Sequence, residues 1–560
     1  MNNILKYAAV ILLGAGAFSS CSLDSESMSS IDSSTFPRTV ADAEMSRVGC
    51  YNRYRRLTQS SDFAYYVLSE VLSDDCFGGT GATDGRNYAM FDRFDVNQYP
   101  GGQNQVESLW TYYYQAIFAC NSFLQGFDNV EWESEAQRNR YEGEVRFLRA
   151  IEYFDLARMF GAVPLLTEPT TEVIPRTDPQ EVFAQIVEDL IFAMKNIDYA
   201  PNHNWVQQND GTATQYAAAA MLARVYLFYT GYYQTSDCPG VTKQQVIDGL
   251  NMVVSSGYYG LVQSKEDGGK EYNGFTRLWR AACATDATLE GGTGLNNHAW
   301  VGRGSSESDV NEFIFTQKFN HTGSSANNGW LVMMGARSIT DASAVPYGNG
   351  WGACTVNPDT WNIFEEGDPR REASIIDWIG EGRQGAYNEF APITREVTGY
   401  NIKKYTPLSY NVDGKAVSEV SAESSWEGGH NFQSNQYQDY IVIRYADVLL
   451  MLSELQENAD GMNEVRARAG LAALPYSKEN ILLERHREFI GEGIRYWDLL
   501  RQGVDYAANA ISGSWKVQSG GADDTVTINA QDILSKRGLL PIPSNQIILS
   551  NGIYTQNPGW

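Results

Sequence analysis

The chain has 560 residues, enough for one large domain or about two to three ordinary ones. Its 68 acidic residues outnumber 42 basic ones, and the formal net charge of −26 disfavours nucleic-acid binding and electrostatic adhesion to anionic lipid. Tyrosine (33) and tryptophan (13) are frequent. Aromatic rings stack on the apolar faces of neutral sugars, so the composition suits carbohydrate, although an acidic surface also serves solubility alone.

The first 20 residues are interpreted as a targeting segment. Residues 8–18 form an uncharged apolar run that, as a helix, would extend only about 16 Å, short of a hydrocarbon core of about 30 Å. This pattern predicts a signal peptide over residues 1–20. Small residues precede Cys21 and resemble the lipobox of bacterial lipoproteins, which predicts acyl chains on Cys21; the alternative is secretion with a free cysteine. Residues 21–40 are polar and Ser-rich, as expected of a flexible tether.

Helical patterns dominate the next two hundred or so residues. An aromatic-rich helix is predicted over 106–123, and a second over 141–160, where apolar side chains recur at spacing three until Gly161. Asp178 is a plausible N-cap with Pro179 at the first helical position of a third helix. A fourth helix is predicted over 212–233, where small residues such as Ala217 and Ala220 let a neighbouring backbone approach closely.

The pattern changes between about residues 238 and 439, where Gly, Asn, Ser and Trp are frequent and helical periodicity is poor. Helical patterns return over 440–455 and 478–501. Successive helices with small residues at crossing points suggest a tetratricopeptide-like stack, although no clean 34-residue repeat occurs. We therefore predict a single domain over 41–560. Its helical scaffold spans about 41–235 and 436–510, a loop-rich insertion spans 236–435, and a fastening segment spans 511–560.

Six cysteines besides Cys21 are widely spaced and form no CxxC pair, so no zinc or thioredoxin motif is predicted. A disulfide is compatible with an extracytoplasmic location, but its pairing cannot be deduced from the sequence.

Six segments in chain order carry distinctive motifs. The first has Trp110, Tyr114, Ile117 and Asn121 in a W-x3-Y-x2-I-x3-N arrangement. The others are 144–165 (EVRFLRAIEYFDLARMFGAVPL), 219–229 (AAMLARVYLFY), 443–454 (IRYADVLLMLSE), 463–474 together with 481–501, and the ends 540–543 (LPIP) and 556–560 (QNPGW). In this order the segments resemble the SusD/RagB family of outer-membrane lipoproteins. Trp560 in place of the usual Tyr and Ser453 in place of Ala are small departures. The acidic run after Cys21 also resembles the surface-export signal of Bacteroidetes lipoproteins.

The resemblance implies a mainly α-helical fold in which a tetratricopeptide-like helix-pair scaffold carries a large loop-rich insertion. It implies a non-enzymatic lipoprotein on the outer face of the outer membrane. Such a protein binds glycan with its loops and sits as a lid over a SusC-like TonB-dependent transporter, which its scaffold face meets. It binds no nucleic acid.

Two regions are candidates for the glycan site. Sugar recognition needs an exposed ring and hydrogen-bonding groups on a rigid frame. The first region is the Gly/Asp/Asn-rich loop 74–99, for which the candidates are Asp75, Arg86, Asn87 and Tyr88. The second is the insertion, for which the candidates are Trp300, Trp330, Tyr347 and Trp351. Flanking glycines in GNGWGAC are expected to expose the Trp351 ring, and for each of these rings ordinary core packing is the alternative.

Catalysis is the less favoured interpretation. The carboxylates of Asp74–Asp75 and Glu365–Glu366 are sequence neighbours whose side chains diverge, and the five histidines are scattered. Charged motif residues at helical spacing are expected to form ion pairs between helices or to cap backbone carbonyls; these are Arg146, Arg149, Glu484, Arg485, Glu488, Glu492 and Arg495. Asp/Asn/Gly loops can supply ligands for a structural calcium ion, but EF-hand spacing is missing, so no essential cofactor is predicted.

Three alternatives to a glycan-delivery protein stay open at this point. The first keeps the family role but carries peptide, as the RagB branch is associated with peptides. The second is a surface glycoside hydrolase. The third is a structural surface protein that binds no ligand.

Overall fold

The computed structural model describes residues 36–59, 64–85, 88–98, 106–198, 211–267, 270–279, 312–320, 326–422 and 431–560. Helices dominate both ends of this range. Those before residue 280 are α1 (Val40–Gln59), α2 (Tyr65–Val71), α3 (Ala89–Asp92), α4 (Glu107–Gly126), α5 (Glu135–Phe160), α6 (Pro179–Asn196), α7 (Gln215–Tyr232), α8 (Lys243–Ser255) and α9 (Gly274–Leu278).

The later helices are mostly shorter. They are α10 (Leu331–Met334), α11 (Pro358–Trp361), α12 (Arg370–Ser374), α13 (Gln384–Phe390), α14 (Glu419–Ala422), α15 (Tyr445–Gln456), α16 (Asp460–Arg468), α17 (Lys478–Phe489), α18 (Arg495–Leu500), α19 (Val504–Ile511), α20 (Ala530–Lys536) and α21 (Ser544–Leu549).

Short strands fill the remainder. They are β1 (Cys76–Gly79), β2 (Lys265–Asp267), β3 (Lys270–Tyr272), β4 (Phe313–Gln317), β5 (Ala336–Arg337), β6 (Asn349–Gly350), β7 (Ala353–Val356), β8 (Ile375–Asp377), β9 (Tyr400–Ile402), β10 (Ser409–Val412), β11 (Lys415–Ser418), β12 (Tyr440–Arg444), β13 (Gly513–Ser519) and β14 (Ala522–Ile528).

The long helices begin where a side chain satisfies free backbone donors. The side-chain oxygens of Ser134, Asp178 and Thr214 each accept a backbone N–H in the first turns of α5, α6 and α7. Pro179 occupies the first turn of α6, and α5 ends at Gly161, whose φ of 73° suits glycine.

Consecutive helices pack on one another. α4 packs on α5, α5 on α6, α6 on α7, and α7 on α8, while α15 packs on α8 and α16. The buried alanines of α7, from Ala217 to Ala220, allow this close approach. The predicted mainly α-helical, tetratricopeptide-like scaffold is confirmed. One difference is α8, which lies inside the range 236–435 predicted to be loop-rich. In the described part of the chain, every helix is too short or too polar to cross a bilayer.

A four-stranded sheet of order β1-β7-β9-β8 joins the N-terminal part of the chain to the insertion. Its strands pair antiparallel, with Cys76 opposite Val356 and Ile375 opposite Ile402. Because β1 leads into the loop after residue 79 and β7 follows Trp351, this sheet places the two predicted ligand regions side by side.

A buried ion network fastens the insertion to the scaffold. Glu488 of α17 accepts hydrogen bonds from Arg444 Nη1 (2.6 Å) and Arg370 Nη1 (3.1 Å), and it also pairs with Arg468. Burial alone would raise the pKa of Glu488, but the three guanidinium groups hold it well below its usual range. Glu488 is therefore ionised and structural.

The other charged motif residues behave in the same way. Each predicted motif charge has an opposite partner: Arg146 and Arg149 with Asp189, Glu484 with Arg370 and Arg466, Arg485 with Asp447 and Asp498, Glu492 with Lys404 and Arg444, and Arg495 with Asp74. The predicted ion pairing is confirmed.

The last residues are tied back to α5. The side-chain nitrogen of Asn557 donates to the carbonyls of Phe160 (3.0 Å) and Leu540 (2.7 Å), and Trp560 Nε1 donates to Leu539 O (2.7 Å). These bonds explain the asparagine in the NPG turn, because its amide satisfies the carbonyl at the end of α5.

Candidate functional site

The structure brings the two predicted ligand regions together in one surface patch. Asp84, from the loop after β1, accepts hydrogen bonds from Arg337 at 2.8 and 3.2 Å. The Arg337 guanidinium carbon lies 5.0 Å from the ring centroid of the half-buried Trp351. The ion-paired side chains keep part of their surface, 36% for Asp84 and 19% for Arg337. Asp84, Arg337 and Trp351 are called the Trp351 patch below.

Arg395 holds the loop 81–85 in place. Its guanidinium donates to the carbonyls of Ala82 (3.0 Å), Asp84 (2.7 Å) and Gly85 (3.0 Å). The Gly81 N–H donates to Asp84 Oδ2 at 3.1 Å. A buried arginine that bonds three carbonyls fixes the backbone immediately before residues 86 and 87.

The backbone around the Trp351 patch is strained. Thr80, Ser338, Cys354 and Glu396 have φ values of 75°, 56°, 54° and 57°, in the left-handed region that non-glycine residues seldom adopt. Ser338 follows Arg337 directly, and Thr80 N–H donates to the carbonyl of Gly352. Such conformations persist only where the surroundings enforce them, and they cluster at functional sites.

A buried cluster of charged side chains hydrogen-bonds to the backbone beside the Trp351 patch. Arg93 donates to Asp92 Oδ1 at 2.7 Å and also pairs with Glu396, whose Oε2 accepts the Gly79 N–H at 2.9 Å. Burial raises the pKa of Asp92 to about 7; Arg93 opposes the rise and the Glu396 carboxylate adds to it. The cluster links β1 to the segment before β9.

Four predicted ligand residues are core residues, which corrects those expectations. Trp330 has no exposed surface and packs on Tyr66 with ring centroids 4.0 Å apart. Tyr347 is 1% exposed, with its hydroxyl 2.8 Å from Glu381. A sugar cannot stack on a ring that has no accessible face.

Asp75 and Tyr88 are the other two core residues. Asp75 is fully buried, with Oδ1 2.6 Å from His486 Nε2, and Tyr88 is 4% exposed. Both lie in the predicted loop region, but they face inward. Arg86, Asn87, Trp300 and Cys21 lie outside the described residues.

Sequence reasoning missed Asp84 and Arg337. Asp84 lies in the Gly/Asp-rich loop that was singled out, so its composition pointed to the correct segment. Arg337 has no local signal, because its role depends on a contact with Asp84 across 253 residues.

The two predicted pairs of adjacent carboxylates are engaged by arginines. Asp74 is bonded through both oxygens to Arg495, at 2.8 and 2.7 Å, and Glu365 accepts from Arg466 and Arg487. Within the described residues, one group has the composition of a metal site: Asp74, Asp75 and His486. A cation fits poorly there, because Arg495 already occupies Asp74 and adds a positive charge.

A helical stack that carries a strained patch with a half-buried tryptophan ring on irregular loops is the arrangement of a scaffolded ligand-binding protein. Comparison with known proteins specifies the class. The family model described as "SusD family" matches residues 311–560, and the model described as "Starch-binding associating with outer membrane" matches residues 68–227. Both matched models are SusD-family models and together they cover well over half of the chain, so the chain belongs to the SusD family.

Individual relatives agree along nearly the whole chain. SusD-like protein P2 of Formosa agariphila is 23% identical over 94% of each chain. A solved "Laminarin binding SusD-like protein" is 25% identical, with a TM-score of 0.67 over 93% of this chain and 100% of that chain. Surface glycan-binding protein A from Bacteroides fluxus shares the fold, with a TM-score of 0.69 at 23% identity over 94% of this chain and 100% of that chain.

Proposed function

We propose that this chain is a cell-surface lipoprotein that binds oligosaccharide at the Trp351 patch and delivers it to a SusC-like TonB-dependent transporter. The observation that carries the glycan proposal is the patch itself. A half-buried indole ring and a partly exposed Asp–Arg pair are held by strained, interlocked loops. An aromatic ring beside hydrogen-bonding groups on a rigid frame is the chemistry that sugar recognition requires.

The relatives support a carbohydrate cargo over a peptide. The solved relative at 25% identity is named for laminarin binding, and one matching family model is described as starch-binding. The Arg337 guanidinium is neutralised by Asp84, so the pair offers donors and acceptors without a net charge. That balance favours a neutral glycan.

Calorimetric titration of the purified protein with laminarin, other polysaccharides and a peptide mixture tests the cargo. We expect glycan binding that Trp351→Ala weakens about tenfold or more, because burying a large apolar side chain contributes about 1.5–3 kcal/mol. Tyr506→Ala removes a ring that is 46% exposed on α19 and is the matched control. Peptide binding without a glycan signal, unchanged binding by Trp351→Ala, or measurable glycan hydrolysis would each contradict the proposal.

Membrane attachment rests on Cys21 and on the family model that names the outer membrane. We propose that Cys21 carries the acyl chains and that the chain faces the cell exterior. Mass spectrometry of the N-terminal peptide is expected to show the lipid. Cys21→Ala should release the protein from the membrane, and protease added to intact cells should reach the wild-type protein.

Transporter docking is assigned to the helical face. A groove of about 1280 Å³ follows α4 and is lined by the exposed Phe118 (55%). The exposed Met45 (60%) and Val48 (51%) line a neighbouring groove of about 540 Å³, and Gly49 lines both grooves. A contiguous exposed apolar surface on a folded protein indicates a partner. We expect Phe118→Asp and Val48→Asp to abolish co-purification with the transporter while glycan binding persists. Ile379→Asp, at a 48% exposed position in the insertion, is the control.

A further inference from the structure

The C-terminal end carries an apolar patch that the proposed glycan and transporter contacts leave unused. Ile548 (72%) and Leu549 (67%) are the two most exposed large hydrophobic side chains in the described part of the chain, and Ile553 is 48% exposed. These three residues are called the C-terminal patch. Water contact by three neighbouring large aliphatic side chains is unfavourable, so the patch indicates a covering surface.

The surroundings of the C-terminal patch are unusual for an acidic protein. No Asp, Glu, Lys or Arg occurs after Arg537, in a chain whose formal net charge is −26. The patch is also held firmly, because Gln546 of α21 donates to Glu107 Oε1 at 2.6 Å and Gln556 bonds the backbone of Ile542. A rigid, uncharged and projecting aliphatic turn suits an apolar surface and offers nothing to a charged partner.

The C-terminal patch lies near the start of the folded chain, which favours the membrane lipid as its covering surface. Gln546 and Tyr554, on either side of it in sequence, line the end of the chain's 1280 Å³ groove together with Phe118 and with Phe36 and Pro37, where the described chain begins, whereas Ile548, Leu549 and Ile553 are not part of that lining. Residues 21–35 between the lipidation site and Phe36 extend at most roughly 50 Å. The anchor therefore enters the folded domain on the face that carries the C-terminal patch.

We propose that the C-terminal patch rests on the lipid surface of the membrane that holds the anchor, and so sets the orientation of the domain. This inference depends on the proposed acylation of Cys21. The anchor confines the patch near the membrane, so even a weak apolar contact is occupied.

Fluorescence quenching by lipid tests the contact. The acylated full chain, in a Cys283→Ser background, receives an environment-sensitive label at Leu549→Cys or, as control, at Asp523→Cys. The five described cysteines are buried, and Asp523 lies on β14 near the turn that approaches Ala82 by the glycan patch. Each protein is reconstituted in vesicles of phosphatidylethanolamine and phosphatidylglycerol with brominated acyl chains.

We expect the label at 549 to lose most of its emission and the label at 523 to keep it. Adding Ile548→Ser and Ile553→Ser should restore emission at 549, because the side chains that hold the turn in the lipid are gone. Equal emission at both sites would overturn the proposal. An emission change at the 549 label that shows exclusion of water without quenching by bromine would also overturn the proposal, because it would identify a protein contact. If this change requires the transporter, the partner is the transporter; if it appears only as protein concentration rises, the partner is a second copy of the chain.

Glycan titration and acyl analysis on the same samples separate this proposal from the proposed function. A protein that is acylated and binds glycan but shows no quenching at 549 contradicts only the lipid contact. A protein without acyl chains contradicts the anchor itself.

Discussion

Two tryptophans of the insertion, Trp330 and Trp351, occupy opposite environments. Trp330 is fully enclosed by the rings of Tyr66, Tyr405 and Tyr440, with centroids 4.0, 5.1 and 5.7 Å away. Trp351 is half-buried and meets a guanidinium group. Burial decides which of the two stabilises the fold and which is available to a ligand.

We therefore expect Trp330→Ala to lower the free energy of unfolding by about 3–5 kcal/mol, as for other large-to-small core substitutions. Trp351→Ala should cost less and should act on glycan binding. Urea denaturation followed by circular dichroism measures both variants. Equal losses of stability would contradict the assignment of Trp330 to the core.

Glu488 is the residue on which the buried ion network converges. Glu488→Gln leaves Arg444, Arg370 and Arg468 with less negative charge in a site without solvent. We expect a loss of about 3–5 kcal/mol of unfolding free energy, because an uncompensated buried charge is costly.

The control for Glu488→Gln is Glu366→Gln, because Glu366 is exposed. Its effect should stay within about 0.5 kcal/mol, as is usual for surface substitutions. A catalytic or dispensable role for Glu488 would instead leave stability unchanged.

At the scale of elements, the side chain of Arg395 bonds three backbone carbonyls of the loop 81–85. Lysine has no planar fork, so Arg395→Lys cannot reproduce the bonds to the carbonyls of Ala82, Asp84 and Gly85. We expect faster hydrogen exchange over residues 80–85 and weaker glycan binding. Mass-spectrometric exchange with and without glycan measures this. Arg371→Lys is the control, because Arg371 forms an ion pair with its exposed sequence neighbour Glu372 and lies over the ring of Trp361. An unchanged exchange rate would show that the sheet alone holds the loop.

The helices were predictable because their signals are local. Asp178 with Pro179 and the apolar spacing of 141–160 lie within single helices, and the structure has α6 and α5 there. Helix α8 also carries a local signal, a capping box of Thr242 and Gln245, which the glycine- and asparagine-rich composition of its surroundings obscured. The sheet β1-β7-β9-β8 was not predictable, because its strands are short and its pairings are distant in sequence.

The candidate site was predictable only in part. Glycines beside Trp351 predicted an exposed ring, and the ring is half-buried. Asp84 lies in the Asp/Gly loop that the composition singled out, and the role of both residues in ligand binding stays a prediction. Burial of Trp330 and Tyr347 could not be deduced, because an aromatic ring has the same sequence signature in a core as at a surface. Only the tertiary contacts distinguish the two.

At the scale of the whole molecule, buried carboxyl groups predict how stability depends on pH. Burial, with the charge of Asp75, raises the pKa of Glu70 to about 8, and burial raises that of Asp92 to about 7. The folded state therefore holds more protons than the unfolded state between these values and the ordinary ones near 4, and stability falls as pH rises through this window. Glu488 and Asp498 have lowered pKa values, so their stabilisation is lost in strong acid.

The melting temperature should be highest near pH 5 and lower by a few degrees at pH 8. Differential scanning calorimetry across this range measures it. Glu70→Gln removes the group with the higher of these two raised pKa values and should flatten the alkaline side of the profile. A melting temperature that rises steadily from pH 5 to pH 8 would contradict this account.

The ion network around α17 has a consequence for how the protein tolerates proteolytic cleavage. Three members of the network lie in the insertion and pair with the C-terminal part of the scaffold. Glu312 pairs with Arg468, Arg370 with Glu484, and Lys404 with Glu492. A cut in an exposed loop would separate the chain covalently while these internal contacts still hold the pieces together. The nicked molecule would run as fragments on a denaturing gel, migrate as one particle in gel filtration, and keep its cargo.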